Sequence, residues 1–337
     1  MISWSNFAVI ARLVMIFRIT SLSAVNHEKG VRMSLVALIK PKGPSGFGYG
    51  TTAEEVTQGL DLSGKNILVT GCNSGLGEET ARVLAKRGAR ILGTARTVEK
   101  ANAAVAPLGN ASTGFECELS DPKSVRSCVD AIKKDGVKLD ALICNAGIMA
   151  LPELKQASGY ELQFFTNHIG HFILVNGLLD QLKSNGRVVM LSSSAHANAP
   201  REGIQFDNLS GEKSYRPWAF YGQSKFANLL FAKELARRFA GTERTANALH
   251  PGVIKTNLAR HMNPLAHVAF GVIGPVFLKS IPQGAATQTY VAVHPHAAAH
   301  SGKYFADCNI ASPRRDAEDA DMARKLWDVS EKIVSGL

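Results

Sequence analysis

The sequence predicts an α/β fold in a single domain, a doubly wound parallel sheet with helices on both faces. Three observations carry that expectation. Short runs rich in β-branched and apolar residues alternate with longer helical patterns from Leu62 onward, as strands linked by crossover helices do. No internal repeat or second composition regime divides the chain. The first strand-like run also passes directly through a glycine-rich turn into a helical pattern, the order found at the start of a βα series. The runs at 66–70 (NILVT), 90–95 (RILGTA), 113–117, 139–144 (LDALIC), 187–192 and 245–250 read as strands. Helical stretches fall at about 76–87, 122–134, 159–182 and 220–239, and an amphipathic pattern at 316–334 closes the chain.

Composition fits this picture and removes other classes. The chain has 337 residues, 45% hydrophobic and 20% charged, which excludes disorder throughout, a collagen-like repeat and a disulfide-stapled miniprotein. The 38 Lys and Arg against 28 Asp and Glu leave +10. Six basic residues and one acid within positions 1–50 supply half of that excess, so the folded part is mildly basic. It carries no nucleic-acid recognition motif, and no nucleic-acid partner is expected. Cys72, Cys117, Cys128, Cys144 and Cys308 are an odd, widely spaced set without a Cys-x-x-Cys pair, which suits a reducing, cytoplasmic setting.

Residues 1–60 read as an N-terminal extension and linker, and 61–337 as the domain. The apolar run Phe7 to Phe17 is too short to span a bilayer and is interrupted by Arg12. Met33 would serve as an ordinary start, leaving 1–32 as an upstream extension; taken as genuine, that segment suits organelle targeting or membrane-surface association. The Gly- and Pro-rich stretch 41–50 reads as a linker.

After NILVT comes Gly71-Cys72-Asn73-Ser74-Gly75-Leu76-Gly77. Glycines there let the backbone turn tightly and approach a pyrophosphate, and the following helix offers free N–H groups and the positive end of its dipole. The reading is Rossmann-type, although glycines in such a turn often serve close packing alone.

TGCNSGLG resembles the TGxxxGxG motif of the short-chain dehydrogenase/reductase family. Further motifs follow in that family's order. Cys144-Asn145-Ala146-Gly147 resembles NNAG, with Cys for the first Asn. Asn167 in QFFTNHIGHF, Ser193 in VVMLSSSAH and Tyr221-x-x-x-Lys225 match the catalytic Asn, Ser and YxxxK, and His250-Pro251-Gly252-Val253 to Thr256 matches the PG segment near the nicotinamide. QFFTNHIGHF, FDNLS and SGKYFADC are similar to the retinol-dehydrogenase-like and WW-domain-oxidoreductase-like branch, catalytic domain only.

The resemblance implies an NAD(P)-dependent oxidoreductase of the carbonyl reductase or alcohol dehydrogenase type. No side chain carries a hydride, so a cofactor must supply it while the protein positions and polarises. Lys225, one helical turn beyond Tyr221, would share its face and favour tyrosinate, making Tyr221 a general acid or base. Ser193 would hydrogen-bond the substrate oxygen. By resemblance, Lys225 also binds the nicotinamide ribose and Asn167 helps hold a relay water. Strand RILGTA ends in Arg96, where an NAD enzyme of this layout places an acid; a guanidinium there can pair with a 2′-phosphate, which favours NADP(H) over NAD(H). Glu118, followed by Leu119, stands where the family usually has Asp beside the adenine.

The stretch around 257–282 falls where the family places a substrate lid. Its apolar content from Ala266 to Leu278 suits a lipophilic ketone, aldehyde or alcohol substrate. It equally suits helix packing, a homo-oligomer contact or, like the N terminus, contact with a membrane surface. Met149, His196 and Trp218 are candidate pocket neighbours. His294, His296 and His300 lack an accompanying ligand set, so no metal is expected. The competing functional class is a non-catalytic dinucleotide-sensing or scaffold protein with the same fold.

Overall fold

The computed structural model describes residues 35–254 and 278–337. Thr256, positions 1–34 and the expected lid as far as residue 277 lie outside them. Eight strands form the central sheet: β1 (Asn66–Thr70), β2 (Arg90–Ala95), β3 (Thr113–Glu116), β4 (Leu139–Cys144), β7 (Leu182–Leu191), β8 (Thr245–His250), β9 (Tyr304–Ala306) and β10 (Asn309–Ile310). A separate hairpin pairs β5 (Gln156–Ala157) with β6 (Tyr160–Glu161). The order across the sheet is β10-β9-β8-β7-β4-β1-β2-β3. All neighbours run parallel except the edge pair β9 and β10. The chain therefore winds outward from β1 in both directions, and a crevice opens between β1 and β4 at the strands' C-terminal ends.

Alternation along the strands builds the two sides. Ile67 and Val69 of β1 and Ile143 of β4 face one core, while Leu68 and Leu142 face the other, as a period of two requires. The first core is covered by α1 (Gly75–Lys86), α2 (Val98–Val105) and α6 (Ile281–Val293). The second is covered by α3 (Pro122–Lys134), α4, α5 (Pro217–Arg238) and α7 (Ala320–Ser335). α4 comprises Leu162–Phe164, a π-turn over Phe165–Ile169 and Gly170–Leu178. Its all-round apolar sequence GHFILVNGL buries nearly every residue between α3 and α5, as expected of a helix without a polar stripe.

Several elements differ from the sequence reading. The helix expected at 159–182 begins at Leu162, because Ser158 and Gly159 adopt positive φ and close the β5–β6 hairpin instead. β7 starts at Leu182, where it pairs with Leu139. α2 and α6 were not anticipated, nor was the β9–β10 edge. Thr97 caps α2 by accepting a hydrogen bond from the Lys100 N–H, and Ser280 and Gln283 form a reciprocal capping box on α6; such Ser-x-x-Gln spacing marks a helix start.

The stretch 41–50 lies against the body. Phe47 meets the rings of Tyr290 and His294 edge-on, and Asn309 Nδ2 donates to the Phe47 carbonyl. All five cysteines are buried and unpaired.

Candidate active site

Most of the candidate residues sit at or just beyond the C-terminal ends of parallel strands, and Asn167, Tyr221 and Lys225 come from helices. Gly71 follows β1, Arg96 β2, Glu118 β3, Asn145 β4, Ser193 β7 and Pro251 β8. Parallel strands point their C-terminal ends the same way, so six loops converge on one rim.

The glycine turn is built for close approach. Gly71 and Gly75 adopt φ of +66° and +60°, a region glycine enters without Cβ strain. At Gly77 a Cβ would lie 2.2 Å from the Gly71 carbonyl oxygen and 2.6 Å from Asn145 Nδ2. Ser74 at the N-cap of α1 makes no side-chain capping bond, so the first-turn N–H groups remain directed at whatever enters the crevice. The arrangement fits a dinucleotide pyrophosphate. Replacing Gly77 with alanine is expected to weaken dinucleotide binding at least about tenfold and cost roughly 1–3 kcal/mol of stability from overpacking. A fluorescence titration and a denaturant melt would measure both, and wild-type values in each would remove Gly77 from the cradle.

Asn145 and Ala146 close the other side of the turn. Asn145 Nδ2 donates to the Thr70 carbonyl at 2.8 Å, and the Ala146 N–H donates to Thr70 Oγ1 at 2.9 Å. Gln288 of α6 donates to Asn145 Oδ1 at 3.3 Å and to the Leu76 carbonyl at 3.3 Å, holding α1 against the turn. Sequence reasoning missed Gln288 because only tertiary packing brings α6 to this place. The Arg96 guanidinium is exposed and has no ion-pair or hydrogen-bond partner among the described residues. Glu118 turns back on its own loop, where Oε1 accepts from the Ser120 N–H and hydroxyl at 3.0 and 2.8 Å. Leu119 is buried against Gly170.

Asn167, Ser193, Tyr221 and Lys225 come together from α4, the end of β7 and α5. The π-turn swings Asn167 toward the crevice: Nδ2 donates to the Ile148 carbonyl and Ser224 Oγ at 2.9 Å each, while Oδ1 accepts from the Ile148 N–H at 2.8 Å. Gly147 has no room for a side chain, since a Cβ there would lie 2.9 Å from Asn167 Oδ1 and 3.2 Å from Lys225 Nζ. Lys225 Nζ lies 5.9 Å from the Tyr221 ring centre and donates to the Leu191 carbonyl at 3.1 Å.

The electrostatics differ from the simple expectation for a Tyr–Lys pair. Burial pushes the Tyr221 hydroxyl above its ordinary range, and the opposing influence is a hydrogen bond with Ser193. Burial also lowers Lys225 to about 8, because a desolvated ammonium is costly. Here it is Ser193 that pulls Tyr221 back toward the ionised form.

His196 proves to be a support rather than a pocket wall. Its Nδ1 lies 2.6 Å from the Ser193 carbonyl and its Nε2 accepts from the Arg314 N–H at 3.1 Å, fixing the Ser193 loop. Trp218 is 49% exposed and stands edge-on to Tyr221 with ring centres 6.2 Å apart. Val253, beside the Pro251-Gly252 turn, is also 49% exposed. His294 stacks on Tyr290 at 4.7 Å. Among the described residues no helix is long and apolar enough to cross a membrane, and no group of three His, Cys, Asp or Glu side chains could hold a metal ion.

Comparison with known proteins agrees with this layout. The family model for short chain dehydrogenase matches residues 65–265. The chain is 42% identical to short-chain dehydrogenase TIC 32 B, chloroplastic, of Brassica napus over 90% of this chain and 100% of that protein. It is 39% identical to human retinol dehydrogenase 14 over 81% of this chain and 87% of that one. Among solved structures, an uncharacterized protein from Mycobacterium paratuberculosis is 34% identical with a TM-score of 0.68, covering 83% of this chain and 97% of its own. A blue fluorescent protein from a metagenomic library, in complex with NADPH, is 25% identical with a TM-score of 0.60, covering 73% and 97%. The chain belongs to the short-chain dehydrogenase family, in its retinol-dehydrogenase-like branch, and is an NAD(P)-dependent oxidoreductase acting on CH–OH groups.

Proposed function

We propose that the protein is an NADP(H)-dependent enzyme that interconverts a lipophilic ketone or aldehyde with its alcohol, Tyr221 acting as general acid or base. The carrying observation is the convergence of Ser193, Tyr221 and Lys225 beside the Asn167 π-turn, on the rim that also holds the glycine cradle.

A bound nicotinamide dinucleotide supplies or accepts the reducing equivalent. Tyr221 Oη gives a proton to the substrate oxygen in reduction and takes one from the alcohol in oxidation. Ser193 Oγ hydrogen-bonds that oxygen as charge develops on it. Asn167 ties the Ile148 backbone to Ser224, one residue before Lys225, so the floor under Tyr221 is held from two elements. Gly71, Asn73, Ser74, Gly75, Leu76 and Gly77 cradle the phosphates. Asn145, Ala146, Gly147, Lys225, Pro251, Gly252 and Val253 flank the ribose and nicotinamide end, and Glu118 and Leu119 lie toward the adenine. The exposed Trp218 and Val253 give the cleft mouth an apolar rim, and retinol dehydrogenases are among the relatives.

The NADP(H) preference rests on Arg96, whose guanidinium is free to pair with a 2′-phosphate. Arg96→Asp is expected to lower kcat/KM for NADPH by about 10–100-fold, the range of a lost hydrogen bond to a charged group, with a smaller effect on NADH. Unchanged NADPH kinetics would assign the preference elsewhere. The whole reading is tested by an NADPH-oxidation screen over steroid, retinoid, aromatic and aliphatic carbonyls, repeated with NADH. Failure to bind either dinucleotide, or binding without turnover of any carbonyl, overturns it.

A further inference from the structure

Behind the candidate site lies a histidine that the mechanism above does not use. His171, on α4 four residues beyond Asn167, is fully buried. Its Nδ1 lies 2.9 Å from the Asn167 carbonyl oxygen and its Nε2 lies 3.0 Å from Thr70 Oγ1. Burial lowers its pKa to about 4, so the ring is neutral near pH 7 and carries a single N–H. A carbonyl oxygen can only accept. The proton therefore resides on Nδ1 and donates to Asn167, leaving Nε2 as an acceptor.

That choice fixes the next link. Thr70 Oγ1 has one hydrogen, and its alternative acceptor, the Ile143 carbonyl, is 3.5 Å away. Pointing the hydrogen at His171 Nε2 leaves the oxygen's lone pairs for the Ala146 N–H at 2.9 Å. A directional chain results: Ala146 N–H to Thr70 Oγ1, Thr70 O–H to His171 Nε2, His171 Nδ1–H to Asn167 O. One end is the Asn145-Ala146-Gly147 loop beside the glycine cradle, and the other is the π-turn that presents Asn167. The two ends also meet in front, where the Asn167 side chain bonds both backbone groups of Ile148, next to Gly147, so the histidine chain braces that contact from behind.

We propose that His171, held as the Nδ1–H tautomer, is a positioning residue that sets the cofactor-side loop and the Asn167 π-turn in register with one another. This rests on the functional reading above. The imidazole does two jobs through two atoms, and two amide side chains separate them. In His171→Asn the amide nitrogen takes the Nδ1 position, so the bond to Asn167 is kept and the one to Thr70 is lost. In His171→Gln the terminal amide reaches the Nε2 position, keeping Thr70 and losing Asn167.

Steady-state kinetics, NADPH titration and 15N NMR of histidine-labelled full-length protein test the proposal. His171→Asn should raise the NADPH dissociation constant and KM several-fold with the smaller loss of kcat. His171→Gln should lower kcat about tenfold or more with NADPH affinity near wild type, and His171→Phe should lose both. The wild-type His171 resonances should report a neutral ring protonated on Nδ1 at pH 6. An Nε2–H tautomer, a cationic ring, or Asn and Gln variants that lose both parameters in parallel overturns the proposal. Wild type that fails to bind NADPH or to turn over any carbonyl instead overturns the functional reading, while the NMR result stands by itself.

Discussion

Tyr221→Phe is expected to lower kcat by about 10²–10⁴-fold, the usual contribution of a positioned general acid or base, with NADPH affinity and thermal stability close to wild type. The hydroxyl is the only group removed, and it hydrogen-bonds with Ser193. The phenyl ring keeps the contacts that bury Tyr221 to 8% exposure and its edge-on packing with Trp218. Because burial raises the Tyr221 pKa, the protonated form persists to higher pH than in an exposed tyrosine. Reduction should therefore not decline at alkaline pH through loss of the Tyr221 proton, whereas oxidation, which needs the ionised form, should climb with pH. Stopped-flow rates across a pH series in both directions check this. Retention of more than about a tenth of kcat in the phenylalanine variant would exclude Tyr221 from the proton transfer.

Lys225→Met should abolish most turnover and at the same time stabilise the protein. Lys225 is 5% exposed, and its recorded hydrogen bond is to the Leu191 carbonyl, which also accepts from Asn228 Nδ2 at 3.0 Å. Removing the lysine thus leaves that carbonyl satisfied. Its pKa falls from an ordinary 10.5 to about 8. Below pH 8 both folded and unfolded chains hold the proton and the desolvation cost is fully present. Between 8 and 10.5 the unfolded chain holds the proton that the folded one has released, so wild-type stability rises with pH through that window. Above it the cost is gone. Methionine fills similar volume without charge, and a gain of roughly 1–3 kcal/mol at pH 7 is expected, a Tm rise on the order of 2–8 °C. Calorimetry at pH 7 and pH 10 should find the difference between variants shrinking at the higher pH. A destabilised methionine variant, or a gain that does not shrink, would show that the buried ammonium is already compensated.

Much of the site was legible in the sequence because it lies in short local patterns. A strand, a glycine turn and a helix start are contiguous in 66–77, so NILVT-GCNSGLG announced its geometry residue by residue. Tyr221 and Lys225 share a helix face whatever surrounds them, and Arg96 was placed by the end of its own strand. The hairpin at 156–161 was missed because its two-residue strands in QASGYE carry no apolar alternation, and its turn shows only in the positive φ at Ser158 and Gly159. α6 was missed because its start was absorbed into the expected lid, although Ser280-x-x-Gln283 was there to be read.

By itself the sequence determined the α/β class, the order of the strand-to-loop junctions and the identity of the groups that reach the rim. The class and the junctions follow from hydrophobic periodicity and backbone sterics, which act over a few residues, whereas the groups at the rim were named by the resemblance of their motifs to the family. Only the tertiary structure decided how the groups act on one another. Ser193, rather than Lys225, opposes the burial of Tyr221; Lys225 is itself desolvated; Gln288 and His171 brace loops far from them in the chain. Desolvation and hydrogen-bond partnership depend on what lies within a few ångströms in space, and for Thr70 and His171, 101 residues apart in sequence, packing alone makes them neighbours.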